Sequence, residues 1–170
     1  GESRCDAAVP NTIALLELAG AAGVPVACGP EEPVGDGNEW PTEWRDAADA
    51  LAGVELPRVD APADETNAVD LLIDLISEHD EPVTVVALGP LTNLAVALEQ
   101  EPALVDDVDM LYTMGGALEV AGNAPNGTAE WNYFVDPHAV ATVLDSGVRT
   151  TIVPLDATDD EHGRRKVLLE

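Results

Sequence analysis

Apolar positions along this chain fall at two alternating spacings. In DAAVPNTIALLELAGAAG, Ile13, Leu16 and Leu18 recur at helical intervals, and Gly20 and Gly23 suit the end of such a helix. VPVACG follows as a short apolar run and predicts a strand; residues 30–66 then read as a long, polar, proline-rich connection. NAVDLLIDLISEHD is amphipathic, with Asn67 placed to cap it. VTVVALG is continuously apolar, which predicts a strand with helices over both faces. LTNLAVALEQ reads as helix and DMLYTMGG as strand. DPHAVATVLDSG opens a helix with Asp136-Pro137 and stops it with Gly147, and RTTIVPLDA supplies a last strand. The alternation predicts an α/β protein: a three-layer, mostly parallel sheet flanked by helices, without internal repeats.

Composition narrows what such a sheet could serve. The 170 residues suit one domain with a real core. Acids outnumber bases 33 to 7, a net charge of -26, and Lys166 is the sole lysine. Nucleic acid and anionic membrane are therefore not expected partners, since either needs a basic face. The acids are spread evenly between apolar runs, which argues against an acidic tail. A folded surface adapted to high salt fits better, because salt screens the self-repulsion. Two cysteines, Cys5 and Cys28, match neither a disulfide framework nor a zinc spacing. No apolar run approaches the ~20 residues of a membrane span. The expectation is a soluble, cytoplasmic protein in a reducing interior.

In parallel α/β sheets, ligands sit beyond the carboxyl ends of the strands. Here those ends carry Gly89-Pro90-Leu91-Thr92-Asn93 and Gly115-Gly116. Neither run has a phosphate-loop pattern, and no lysine is near. A neutral, hydroxyl-rich ligand suits the residues better. GNAPNGTAEWNYFVDP gathers Trp131, Tyr133 and Phe134, half of the six aromatic residues, beside Asn123, Glu130 and Asn132. Carboxylate and carboxamide groups can hold vicinal hydroxyls, although such residues more commonly satisfy turn backbone. Asp136 reads as a helix cap, Met114 as core-facing, and His79, His138 and His162 as surface residues. VDDVDM and LDATDD read as solvated acids rather than metal ligands.

These motifs carry a resemblance. The run from VTVVALGPLTN through MGG and GN to GTAEWNYFVDPHAVATVLDSG resembles the middle of an inosine-uridine nucleoside hydrolase, with similarity from Gly1 to about Asp159. The organisation implied is a partial hydrolase domain over 1–160 and a divergent tail over 161–170, which holds three of the basic residues. The resemblance implies hydrolysis of the N-glycosidic bond of ribonucleosides to ribose and free base, bound calcium, and a homodimer or homotetramer. It implies that Asn123, Glu130 and Asn132 hold ribose hydroxyls, that Met114 lies against the sugar, and that the main-chain carbonyl of Leu88 binds calcium. NGTAEWN and PTEWR are most similar to the purine-selective branch, which makes Trp44 the candidate for stacking on the base. A tryptophan in a proline-rich loop serves as readily as a core plug. Glu2 stands where the family has an amide near the ribose. The family's D-x-D-P-G-x-D-D segment, source of the general base and metal carboxylates, is absent from this sequence, as is its His-Asp pair. No catalytic residue is therefore assigned, and the chain is expected to be inactive alone. The alternative is a non-catalytic riboside-binding or assembly remnant of the same fold.

Overall fold

The computed structural model describes residues 2–57 and 67–158, so His162, Lys166 and the tail over 161–170 lie outside the described residues. Three strands, β1 (Val83–Ala87), β2 (Val108–Met114) and β3 (Thr150–Val153), form a parallel sheet in the order β1-β2-β3. Parallel neighbours need crossover connections. Those between β1 and β2 are α4 (Thr92–Gln100) and α5 (Leu104–Asp107), and those between β2 and β3 are α6 (Trp131–Val135) and α7 (Pro137–Asp145). α3 (Ala68–Ser77) precedes β1, and α8 (Leu155–Thr158) follows β3.

Strands laid down in sequence order, with crossovers of one hand, place their helices on one face. That face forms the core, where Ile76, Leu94, Leu98, Leu111, Ala139 and Val143 are buried and Val83, Val85 and Ala87 pack against them. The opposite face is different. Val86 is 61% exposed and its register partner Tyr112 42%. The apolarity of VTVVALG is thus matched by helices on one face only among the described residues.

Local chemistry explains the helix boundaries. Asn67 caps α3 by accepting from the amides of Val69 and Asp70, as its position predicts. Asp136 caps α7, and Pro137 follows in the first turn. α1 (Cys5–Leu18) ends at Gly20, whose φ of 71° only glycine adopts freely. The proline-rich connection holds more structure than its sequence suggests: α2 (Thr42–Asp49), which follows Pro41, and a short 3-10 turn over Leu51–Gly53.

Two expectations fail here. VPVACG is not a strand, because it finds no ladder partner among the described residues. Cys28 instead lends its carbonyl to the amide of Ala68. Nor are Cys5 and Cys28 free thiols: they form a disulfide across 23 residues. The pair lacked a framework pattern because a single bridge makes none. No helix among the described residues is long and apolar enough to cross a membrane. Each arginine among them pairs with an acid: Arg4 with Asp46 and Asp49, Arg45 with Glu31, and Arg149 with Asp109.

Candidate functional site

The carboxyl ends of β1 and β2 meet α6, and there the polar residues converge. Glu130 precedes α6 and is only 3% exposed. Its Oε1 accepts from the amide of Asn132 at 2.9 Å, and its Oε2 accepts from the amides of Tyr133 and Gly116, both at 3.2 Å. A carboxylate has about four acceptor positions, so three backbone donors leave roughly one open. Asn132, 7% exposed, donates through Nδ2 to the Met114 carbonyl at 3.2 Å and to Met114 Sδ at 3.1 Å. The same nitrogen lies 3.5 Å from the carbonyl oxygen of Leu88, and these bonds leave Oδ1 uncommitted. Asn123 is exposed and accepts from the amide of Trp131 at 3.0 Å.

Five expected residues thus meet: Leu88, Met114, Asn123, Glu130 and Asn132. The commoner role of such groups, satisfying local backbone, is also real for Asn123 and Glu130. Trp44 and Glu2 lie elsewhere, lining a groove of about 680 Å³ with Leu15, Ala48 and Leu51. Trp44 reaches the cluster through one ring, with its centroid 5.2 Å from that of Trp131. Glu2 is exposed, and no described hydrogen bond ties it to the cluster.

Several contributors carried little sequence signal. Trp40 stacks on Trp131 at 5.1 Å, and Phe134 meets Trp131 edge-on, so all three tryptophans form one aromatic cluster. Asp136 is more than a cap: fully buried, it also accepts from the Val34 amide and the Thr92 hydroxyl. Asp156 accepts from the amides of Leu118 and Glu119 and shapes the loop after Gly116, where LDATDD suggested only surface acidity. The Asp-Pro pair and the Trp131–Phe134 neighbourhood were legible signals; the contacts of Trp40, of Val34 and Thr92 with Asp136, and of Asp156 join residues distant in sequence.

Gly115 lets the Tyr133 ring approach closely, since a Cβ there would lie 2.0 Å from the ring. Burial pushes the Tyr133 phenol above its ordinary 10.0; its hydrogen bond to Thr113 opposes this and the Glu130 charge adds to it. A raised folded value stabilises the neutral form, so this contribution is complete below the unfolded phenol's ~10 and fades as pH rises through the folded value. The expected result is a phenolate absorbance titration with one tyrosine ionising late, together with a loss of stability that sets in above about pH 10, where the unfolded phenol ionises first. Coincidence of the Tyr133 titration with that of free tyrosine would contradict it.

The calcium that the resemblance implies needs about 6 to 8 oxygen ligands. The Leu88 carbonyl is one, and the described residues contain no group of three or more His, Cys, Asp or Glu placed to hold a metal. The described residues do not fit a calcium site.

Known proteins share this fold. Residues 1–168 match the family described as inosine-uridine preferring nucleoside hydrolase. Uridine nucleosidase 1 of Arabidopsis thaliana is 35% identical over 89% of the chain, which covers 45% of that protein. The plant nucleoside hydrolase PpNRh1 superposes with a TM-score of 0.83 at 34% identity, over 93% of this chain and 50% of its own. The purine-preferring ribonucleoside hydrolase of Gardnerella vaginalis gives 0.78 at 30% identity, over 89% and 48%. The chain spans about half the length of the curated relatives it matches. With its parallel sheet, one-sided crossover helices and E-W-N turn at the strand ends, the chain belongs to the inosine-uridine preferring nucleoside hydrolase family.

Proposed function

We propose that this chain supplies the sugar-holding part of a ribonucleoside N-glycosidase, an enzyme releasing ribose and free base. The observation that carries the reading is Asn132 Nδ2 held on the Met114 backbone and side chain beside the Leu88 carbonyl, with Glu130 fixed next to it. This bonding holds the asparagine in one rotamer and leaves Oδ1 for a hydroxyl donor. Glu130 keeps one acceptor position for a second hydroxyl. Asn123 is the outer polar candidate of the cluster, Glu2 a candidate from the neighbouring groove that Trp44 also lines, and Met114 offers an apolar surface to the sugar ring.

Cleavage itself needs an activated water and a group to balance the positive charge that grows on the sugar. The residues described bind and orient; none is placed as base, and the carboxylates of a metal site must come from elsewhere. Calcium, with the Leu88 carbonyl among its ligands, and a dimeric or tetrameric assembly belong to the proposal for the whole enzyme. So does the cytoplasmic setting, against which the disulfide weighs.

For the base, we favour a purine, because Trp44 is 41% exposed and abuts Trp131 at a tilt of 59°, offering a flat ring as platform. Relatives named for uridine and for purines both occur, so the discriminating test is competition between inosine and uridine. Trp44→Ala is expected to weaken inosine by roughly 1–3 kcal/mol and ribose hardly at all. Equal losses for both would reduce Trp44 to packing.

Asn132→Ala tests the clamp. It is expected to raise the dissociation constant for ribose and inosine alike by about tenfold or more, near ~1.4 kcal/mol. An unchanged constant in a folded variant would remove Asn132 from the sugar site.

A further inference from the structure

We propose that the Cys5–Cys28 disulfide is a redox-operated latch that holds α1 over the groove beside α2, so that a dithiol reductant frees α1 while the sheet and its helices stay folded. The inference rests on how α1 is attached and does not depend on nucleoside binding. α1 buries Ala14 alone, while Leu15 is 48% and Leu18 62% exposed. It therefore draws little from the hydrophobic core.

Its polar ties run to one place. Ser3 Oγ and the Arg4 amide each donate to Asp49 Oδ1 at 2.7 Å, and Asn11 Nδ2 donates to the Asp49 carbonyl at 3.0 Å. The Arg4 guanidinium pairs with Asp46 and Asp49. All of these end on α2, which itself has no buried residue. Holding α1 to α2 thus ties it to the body of the fold only indirectly, through Trp44 of α2, whose ring centroid lies 5.2 Å from that of Trp131.

The disulfide runs the other way, from the first residue of α1 to Cys28. The Cys28 carbonyl accepts from Ala68, the first residue of α3, and α3 sits in the core through Val69 and Ile76. Besides the exposed hydrogen bond from the Cys5 amide to Glu31 and the indirect route through α2 and Trp44, the bridge is the described tie between α1 and the core-anchored chain. Both cysteines are only half-buried, so a reductant can reach them.

The chemistry balances. A thiolate of the reductant attacks one cysteine sulfur, the Cys5–Cys28 bond breaks, and a mixed disulfide forms. The reductant's second thiol displaces that sulfur, leaving two protonated cysteines and an oxidised reductant: two electrons and two protons transferred. Leu15 then leaves the groove wall it shares with Trp44, and the indole meets more water.

Hydrogen exchange of the whole chain, oxidised and after treatment with dithiothreitol, tests this directly, with thiols counted in parallel. The expected result is two new thiols, exchange over 5–18 faster by about tenfold or more, and unchanged exchange over α4, a local opening below the global limit. Tryptophan emission should shift to the red and return on reoxidation. Cys5→Ser/Cys28→Ser should reproduce the reduced pattern without reductant. Unchanged exchange over 5–18 with two thiols counted would overturn the latch. Equal acceleration over α4 would make the bridge a global staple, and thiols released only in denaturant would make it inaccessible; either overturns the proposal.

Discussion

Replacing Asp136 by alanine is expected to destabilise the fold by about 3–5 kcal/mol, the range seen when a buried charged group is removed from its hydrogen-bond partners. The side chain has no exposed surface and joins three separate segments. Oδ1 accepts from the Ala139 amide at the start of α7, at 3.0 Å. Oδ2 accepts from the Thr92 hydroxyl at the start of α4, at 2.7 Å, and from the Val34 amide, at 3.0 Å. Alanine strips the cap from α7 and orphans all three donors in a dry site, which costs more than the bonds themselves contribute. Asparagine keeps an acceptor for Ala139 but turns an amide N–H₂ towards the Val34 N–H, so about half the loss is expected. Urea unfolding midpoints at constant slope provide the check. A loss under ~1 kcal/mol for alanine would mean that water replaces the carboxylate, contrary to the burial described.

Glu130→Ala is the second large effect, and it has two readouts. Three backbone amides, those of Gly116, Asn132 and Tyr133, lose their acceptor, so the turn into α6 should loosen by about 2–4 kcal/mol. Sugar binding should fall below detection, because Asn132 lies two residues on and its position depends on that turn. Glu130→Gln separates the roles. Glutamine retains one oxygen for the backbone, so most of the stability should return. The charge is lost, so binding should still fall by at least about tenfold if that oxygen also meets a ribose hydroxyl. Full binding by the glutamine variant would confine Glu130 to structure.

Much of this architecture was legible because local signals and packing agree. Asn67 and Asp136-Pro137 announce helix starts, and the apolar runs at 83–87, 108–114 and 150–153 are strands as their composition suggests. VPVACG has the same apolar character, yet becomes no strand, since a strand requires a neighbour that composition cannot supply. The polar cluster was legible through one compact motif, E-W-N, whose members lie within a single turn. Trp40 on Trp131 and Val34 on Asp136 were not, because these partners lie about a hundred residues apart and share no local pattern. The disulfide escaped for a related reason: a lone pair of cysteines has no spacing rule, and only the docking of α1 brings them together.

If the chain holds a sugar clamp separated from the groups that break the glycosidic bond, it should bind the sugar without cleaving it. Isothermal titration of the chain with inosine and with ribose, in molar salt to screen its charge of -26, tests it most directly. Each titration is run with and without calcium beside an assay for released ribose. The expected result is saturable binding of both ligands, indifferent to calcium, with no ribose released from inosine. Release of ribose would show that a base and its charge-balancing groups reside within these residues, and absence of binding by the folded chain would show that Asn132 and Glu130 form no clamp.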